Sequence, residues 1–217
     1  MITPLLLIGI ITALGAAIRG NWSPCGESLQ AQIHPLGEKS RGNIWGVTMM
    51  SFTIASIAAG GSLAAFSGWL GGTLFDIDDL ALLLAGAFAV LAGILDLSPL
   101  TPWTPRRQVN ENWIGRYRGW VYGAGFGAQL GVGFAVFVMS WGYWAMLAIA
   151  FVSGSALHGA IIGAVFGLGR GVLLFLSRRS TTPESLVAFH ASMMRFKPVV
   201  FRATGIATVA TGLLLML

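Results

Sequence analysis

Cys25, the single cysteine of the chain, stands between Pro24 and Gly26 in a polar stretch that interrupts an apolar run. A cysteine thiolate is a nucleophile and a metal ligand, and a nearby cation or helix N-terminus makes it more reactive. One cysteine forms no internal disulfide, so any disulfide would join Cys25 to another chain. Two hypotheses stand side by side: a reactive, catalytic thiol, or a small apolar side chain that only packs.

Charged and amide side chains near Cys25 form the second group of candidates. Arg19 and Glu27 bracket the polar interruption. An ionisable group at membrane depth is costly unless it is paired or hydrated, so such residues often mark functional sites. We expect a polar centre between the two halves of the chain, which either binds a ligand or only satisfies a broken backbone. Its predicted members are Arg19, Glu27, Gln30, Gln32 and Gln129, with Pro24 at the break.

Two patterns that could hold a cofactor are incomplete. Cys25, Glu27 and His34 are metal-ligating residue types, but they lack the paired i, i+4 spacing of helical metal sites. The run of glycines at 123–128 matches the dinucleotide fingerprint, yet no strand precedes it and it lies in an apolar segment. We therefore predict neither a metal nor another cofactor.

The composition is that of a membrane protein. Hydrophobic residues make up 55% of the chain and charged residues 10%, with a mean hydropathy of +0.77. The formal net charge is +5, but the basic residues lie at the ends of apolar runs and in connecting loops. This distribution is a topology signal and not a nucleic-acid surface. The expected partners are the lipid bilayer and other membrane protein chains.

The apolar runs predict six membrane spans, two of them broken. A straight helix over residues 4–36 would be roughly 50 Å long against a hydrocarbon core of about 30 Å, so we expect a break between Gly20 and Gly26. Residues 120–152 are again too long for one span, with weak points at their glycines and at 140–142. The other predicted spans are 43–74, 80–97, 156–177 and 198–217, and Asp76, Asp78 and Asp79 mark the start of the third span.

Two similar halves follow from this order of spans. We expect a first three-helix repeat at 1–97, a Pro- and Arg-rich cytoplasmic linker at 98–118, and a second repeat at 119–217 with an interfacial helix at about 183–196. Because each repeat has an odd number of spans, the second must be inverted in the membrane relative to the first. The fold class is thus all-α.

The charges predict orientation and local pairing. Lysines and arginines gather in three loops on one side, so by the positive-inside rule both termini are extracytoplasmic in an inner or plasma membrane. Arg170 and Arg202 lie near the cytoplasmic ends of their spans and are expected to extend toward the interface. Asp96 needs a cationic partner, for which Arg106 or Arg107 is suitable.

A four-residue repeat of glycines predicts a packing seam in the fifth span. Small residues at this spacing form one stripe along a helix and allow close backbone contact with a neighbour. Bulky substitutions should disrupt the seam, whereas alanine should be mild. The stripe consists of Gly159, Gly163, Gly167 and Gly171.

The tripeptide Ser23-Pro24-Cys25 in a broken first helix, within a three-plus-three arrangement of spans, resembles the DsbD-like cytochrome c biogenesis transmembrane family. That resemblance implies transfer of reducing equivalents across a membrane and a thioredoxin-like partner. In that family each repeat carries a cysteine, whereas the corresponding region here, 125–133, has none.

These observations favour a redox-associated or accessory subunit of a membrane assembly on a thiol-redox scaffold. The alternative is a transporter that passes a small solute or ion through a cavity between the repeats. An autonomous enzyme is not favoured; if the chain is one, it would be a membrane thiol-disulfide oxidoreductase.

Overall fold

The computed structural model of the protein describes residues 2–74, 79–105 and 107–217, and these residues contain helices and no strand. A short 3-10 turn, Ser177–Arg179, follows the ninth helix. The helices of the described residues are α1 (Ile2–Gly20), α2 (Pro24–Gln32), α3 (Pro35–Ser40), α4 (Trp45–Leu74), α5 (Asp79–Leu97), α6 (Asn112–Arg116), α7 (Gly119–Val132), α8 (Trp141–Val152), α9 (Ala156–Leu176) and α10 (Pro183–Leu215).

Several of these helices are suited to a bilayer. In the described ranges, α4, α5, α9 with its 3-10 extension, and α10 are long and apolar enough to cross a membrane, and α1 with α2 adds a fifth candidate if the bent pair is one span. α8 is apolar but has only 12 residues. An all-α protein with four to five candidate spans is therefore confirmed.

The first helix break lies where the sequence predicts it. α1 ends at Gly20 and α2 begins at Pro24, with a bend of 66° between them. Proline suits the first position of a helix because its missing N–H would have no helical partner there. The Ser23 hydroxyl accepts a hydrogen bond from the Gly26 amide at 3.1 Å and so caps α2.

A second break separates α7 from α8. Gly133 ends α7 with a φ of +78°, a conformation that glycine adopts without steric cost. α8 begins after Ser140, whose hydroxyl accepts from the Gly142 amide at 3.1 Å. The segment 133–140 between these helices packs toward the first break, which places the two interruptions close together.

Glycine permits close helix contact between α4 and α9. Three of the four glycines in the predicted stripe face backbone carbonyl oxygens of α4, and Gly171 faces the Thr53 side chain. A Cβ atom would overlap those oxygens, so the two backbones are already in contact. The carbonyl contacts are Gly159 with Ala64, Gly163 with Gly60 and Gly167 with Ser56.

The last helix differs from the prediction of an interfacial helix followed by a separate span. α10 runs from Pro183 to Leu215 without interruption and contains Pro198. Contacts with the first break hold its N-terminal half: Trp22 Nε1 donates to the Met193 carbonyl at 3.1 Å, and Lys197 lies 3.6 Å from Glu27. Neighbouring side chains can satisfy backbone groups freed by a proline, so the helix continues through it.

The loops agree only in part with what the sequence predicts. Asp79 is the first residue of α5, whereas Asp76 and Asp78 lie outside the described residues. The Pro-rich part of the predicted linker is irregular at 99–105, and a single helical turn, α6, follows it.

Candidate functional site: buried charges at the two helix breaks

Cys25 lies at the second position of α2 and is fully buried. It belongs to an apolar cluster with Leu29, Phe126 and Leu174. A thiol without exposed surface cannot reach a soluble partner in this conformation, so the geometry favours packing. Within the described ranges, no three His, Cys, Asp or Glu side chains are close enough to hold a metal ion.

A buried ion pair connects the first break to α5. Arg19 Nε lies 3.7 Å from Asp96 Oδ1, and the two side chains are 6% and 1% exposed. The partner predicted for Asp96 was Arg106 or Arg107; Arg106 lies outside the described residues, and the partner in the structure is Arg19. The sequence prediction failed because it paired neighbours along the chain, whereas Asp96 turns into the bundle.

The same carboxylate caps α8. Asp96 accepts hydrogen bonds from the Ser140 hydroxyl at 2.6 Å and from the amides of Trp141 at 2.8 Å and Gly142 at 3.2 Å. A carboxylate at a helix N-terminus satisfies free N–H groups and interacts favourably with the positive end of the helix dipole. Asp96 therefore fixes the second break from a different helix. The sequence contains no local signal for this cap.

Arg19 joins the two breaks to α10. Its Nε donates to the Met139 carbonyl at 3.2 Å, just before α8, and its Nη1 donates to the Phe201 carbonyl at 3.1 Å. The guanidinium carbon also lies 4.0 Å from the centre of the Phe201 ring. The planar fork of donors in arginine suits such a crossing point, since a lysine has no comparable set of directed donors.

Arg170 of α9 is buried beside this cluster, with 4% of its surface exposed. The prediction that it extends to the interface is wrong, because this face of α9 turns toward α1 and the guanidinium contacts Gly20. In the described part of the chain, its Nε has no hydrogen-bond partner and no carboxylate forms an ion pair with it. Arg202, in contrast, is exposed.

A small cavity lies between the two breaks. Its volume is about 20 Å³, room for roughly one water molecule. Arg170, Gly20 and Ser140 contribute to its wall together with apolar side chains of α7, α9 and the segment before α8. The cavity thus adjoins both interruptions, and Arg170 and Ser140 are polar members of its largely apolar wall.

Most of the predicted polar centre is dispersed. Gln30 is buried and donates to the Asn21 carbonyl at 3.1 Å, while Gln129 donates to a carbonyl of its own helix at 3.2 Å. Gln32 donates to Glu111 at 2.8 Å on the exposed side of α2. Glu27 lies 3.6 Å from Lys197, and the side chains of that pair are more than one third exposed. Arg19 alone of the predicted set takes part in the buried charge cluster.

Sequence reasoning missed a second buried carboxylate, Glu38. Its oxygens accept from Arg41 Nη2 at 2.6 Å, from Thr48 Oγ1 at 2.8 Å and from the Tyr122 hydroxyl at 2.5 Å. Burial acts to lower the pKa of Arg41, but the hydrogen bond and charge of Glu38 outweigh it, and the pKa is raised. The i, i+3 spacing of Glu38 and Arg41 could have predicted their ion pair. It does not predict the hydrogen bond from Tyr122.

Comparison with known proteins finds curated relatives that share one name. Methylamine utilization protein MauF of Methylophilus methylotrophus is 28% identical over 171 residues, covering 74% of this chain and 59% of the relative. MauF of Paracoccus denitrificans is 30% identical over 176 residues, covering 77% of this chain and 62% of the relative. The chain therefore spans 59–62% of the length of these curated relatives. No family model and no solved structure matches the chain, so the resemblance to the DsbD-like family gains no support here.

Proposed function

We propose that this chain is an accessory membrane protein in a pathway that uses methylamine or a related small amine, and that it acts by assembly with other chains. Its similarity to proteins named for methylamine utilization, over 74–77% of the chain, is the observation that carries this proposal. The geometry is compatible, because the charges Arg19 and Asp96 at the helix breaks are used for internal cross-links.

The architecture we propose is six spans in two inverted repeats. Helix contacts support it. The first helix of the first half, α1, packs on α9 and α10 of the second half. In the same way the first helices of the second half, α7 and α8, pack on α4, and α8 also packs on α5. The pairs α4 with α9 and α5 with α10 relate the second and third helices of each half. Exchange of the two halves thus preserves the main contacts between them, which supports a two-fold repeat.

We further propose that the arginine-rich loops are cytoplasmic and both termini extracytoplasmic. Single cysteines placed near Asp79 and near Arg107 in a Cys25→Ser background would be labelled with an impermeant maleimide in intact cells. Labelling near Asp79, with labelling near Arg107 only after permeabilisation, is the expected pattern. The reverse pattern would reject this orientation.

A redox role for Cys25, including a mixed disulfide with a thioredoxin-like protein, is the finer hypothesis. It requires an opening that exposes Cys25, which is fully buried here. Measuring alkylation of Cys25 against pH in the folded protein tests it. Rapid labelling near neutral pH supports a reactive thiol, whereas labelling only after denaturation leaves Cys25 a packing residue.

Transport is the second candidate, and the meeting of two helix breaks favours it. Broken helices form the substrate sites of several transporter folds. The cavity there has about 20 Å³, so a solute larger than water would need the helices to separate. Uptake of labelled methylammonium into proteoliposomes would support this function, and uptake equal to that of empty liposomes would oppose it.

The accessory role is tested by deleting the gene in its host. Growth on methylamine should fail while growth on a substrate without an amine continues, and a plasmid copy should restore growth. The Arg19→Gln variant should not restore it, whereas the Lys197→Gln variant, which loses a partly exposed ion pair and a contact with the Phe201 ring, should. Unchanged growth of the deletion strain on methylamine would overturn the proposal.

A further inference from the structure

The charge balance of the described bundle leaves one buried cation without a counterion. Arg19 pairs with Asp96, Arg41 with Glu38, and Lys197 with Glu27. Arg170 has no such partner in the ranges 2–74, 79–105 and 107–217, although 96% of its surface is covered. An arginine stays protonated in proteins, so the positive charge remains in place.

A lone buried charge of this kind is unfavourable. Desolvation of an ion costs several kcal/mol unless a partner charge or several hydrogen bonds compensate it. The C-terminal end of α1 at Gly20 contacts the guanidinium and offers the partial negative charge of a helix end. This interaction supplies only a fraction of an elementary charge, and Arg170 Nε is still without an acceptor.

The cavity next to Arg170 limits which counterion could bind there. The cavity of about 20 Å³ that Arg170 lines is small, so a small monovalent anion suits it better than sulfate or phosphate. Two hydroxyls of its wall already donate elsewhere, Ser140 to Asp96 and Tyr143 to the Val132 carbonyl. The guanidinium is therefore the available donor.

We propose that the cavity between the two helix breaks binds one small monovalent anion, of the size of chloride, through the guanidinium of Arg170. The anion would neutralise the unpaired cation and supply an acceptor for Arg170. Since α1, α9 and the segment before α8 meet at this cavity, the bound anion would hold the two breaks together. This proposal is independent of the amine pathway proposed above.

Cys25 is the competing source of negative charge, because its thiol lies close enough to Arg170 for an electrostatic interaction. A thiolate there would leave no need for a bound anion. The Asp96 carboxylate accepts a hydrogen bond from Ser140 of the cavity wall. Its negative charge is already compensated by Arg19 and three hydrogen-bond donors. The two sources, anion and thiolate, are separable by experiment.

The test is thermal stability of the purified full chain in detergent, with chloride or bromide replacing gluconate at constant ionic strength. Gluconate is too large for the cavity. We expect Tm to rise with the logarithm of the small-anion concentration, as for a ligand that binds only the folded state. Arg170→Gln should lose this response, and the matched Arg178→Gln variant, on the 3-10 turn, should keep it.

If Arg170→Gln does not fold, Arg170→Lys is the second test variant. Its side chain is shorter, so the rise in Tm should require a higher anion concentration. A Tm independent of the anion overturns the proposal, as does a response that persists unchanged in Arg170→Gln or in Arg170→Lys. Absence of a response together with a lower Tm in Cys25→Ser would also overturn it, since the thiolate would then be the counterion.

Discussion

Gly163 of α9 and Gly60 of α4 face each other so closely that a Cβ atom on either glycine would overlap the carbonyl oxygen of the other. This reciprocal contact changes the prediction for the seam. The sequence suggested that alanine would be mild, but a methyl group at Gly163 meets backbone, which cannot move aside like a side chain. Overpacking of this kind costs about 1–3 kcal/mol.

We therefore expect Gly163→Ala to lower the free energy of unfolding by about 1–3 kcal/mol and Gly163→Leu to prevent folding. Gly46→Ala is the matched control in α4, because its Cβ would meet nothing within 4 Å. Unfolding monitored in mixed detergent gives the comparison. Equal stability of Gly163→Ala and the wild type would show that the helices are not in backbone contact.

The Arg19–Asp96 pair should be strongly coupled. Removing one partner of a buried ion pair typically costs about 3–5 kcal/mol, because the other charge stays buried and unpaired. Arg19→Gln and Asp96→Asn should each destabilise by that amount, and the double variant by less than the sum. A double-mutant cycle measures the difference.

The exposed pair provides the control for this cycle. Lys197→Gln removes a partner of Glu27 from a pair that is more than one third exposed, and the loss should be below about 1 kcal/mol. Strict additivity of Arg19→Gln and Asp96→Asn would contradict the structural ion pair.

The sequence predicted features whose cause is local. Pro24, with glycines before and after it, breaks a helix in any tertiary surroundings, so the position of the first break could be predicted from the sequence. The glycine stripe of α9 could also be predicted from the local sequence, since a four-residue period defines one helix face.

The partners of the buried charged residues could not be predicted from the local sequence. Asp96 stands at the end of its helix, and only the packing of α5 against α8 decides that it faces Arg19 and Ser140. Likewise Pro198 suggested the start of a new helix, but contacts of Trp22 and Glu27 hold the preceding residues in line with it. These outcomes depend on neighbours that are distant in sequence.

The Glu38 cluster should contribute to stability at the arginine-rich end. Tyr122→Phe removes one of three donors to a fully buried carboxylate, and we expect a loss of about 1–3 kcal/mol. Ser40→Ala, which loses only an exposed hydrogen bond to the Gly37 carbonyl, should change stability little. The test is the unfolding midpoint of each variant, and a neutral Tyr122→Phe would contradict the network.

His34 should make stability depend on pH. Its Nδ1 accepts a hydrogen bond from the Gly37 amide at 3.2 Å and so caps α3. The pKa of His34 is lowered, first because of burial and then because of the nearby Arg41 charge, against hydrogen bonds to the Ser180 and Ala31 backbone that raise it. Below its ordinary pKa of 6.5 the unfolded chain therefore binds the proton more readily than the folded chain.

The stabilising contribution of neutral His34 is thus present above pH 6.5 and is lost as the pH falls through the lower folded pKa. A helix cap contributes about 1 kcal/mol, which corresponds to roughly 2–4 °C in Tm for a chain of this size. His34→Asn keeps a capping acceptor that does not titrate, so its Tm should fall less than that of the wild type between pH 7.5 and pH 5. Parallel pH profiles for the two proteins would show that another group causes the acid sensitivity.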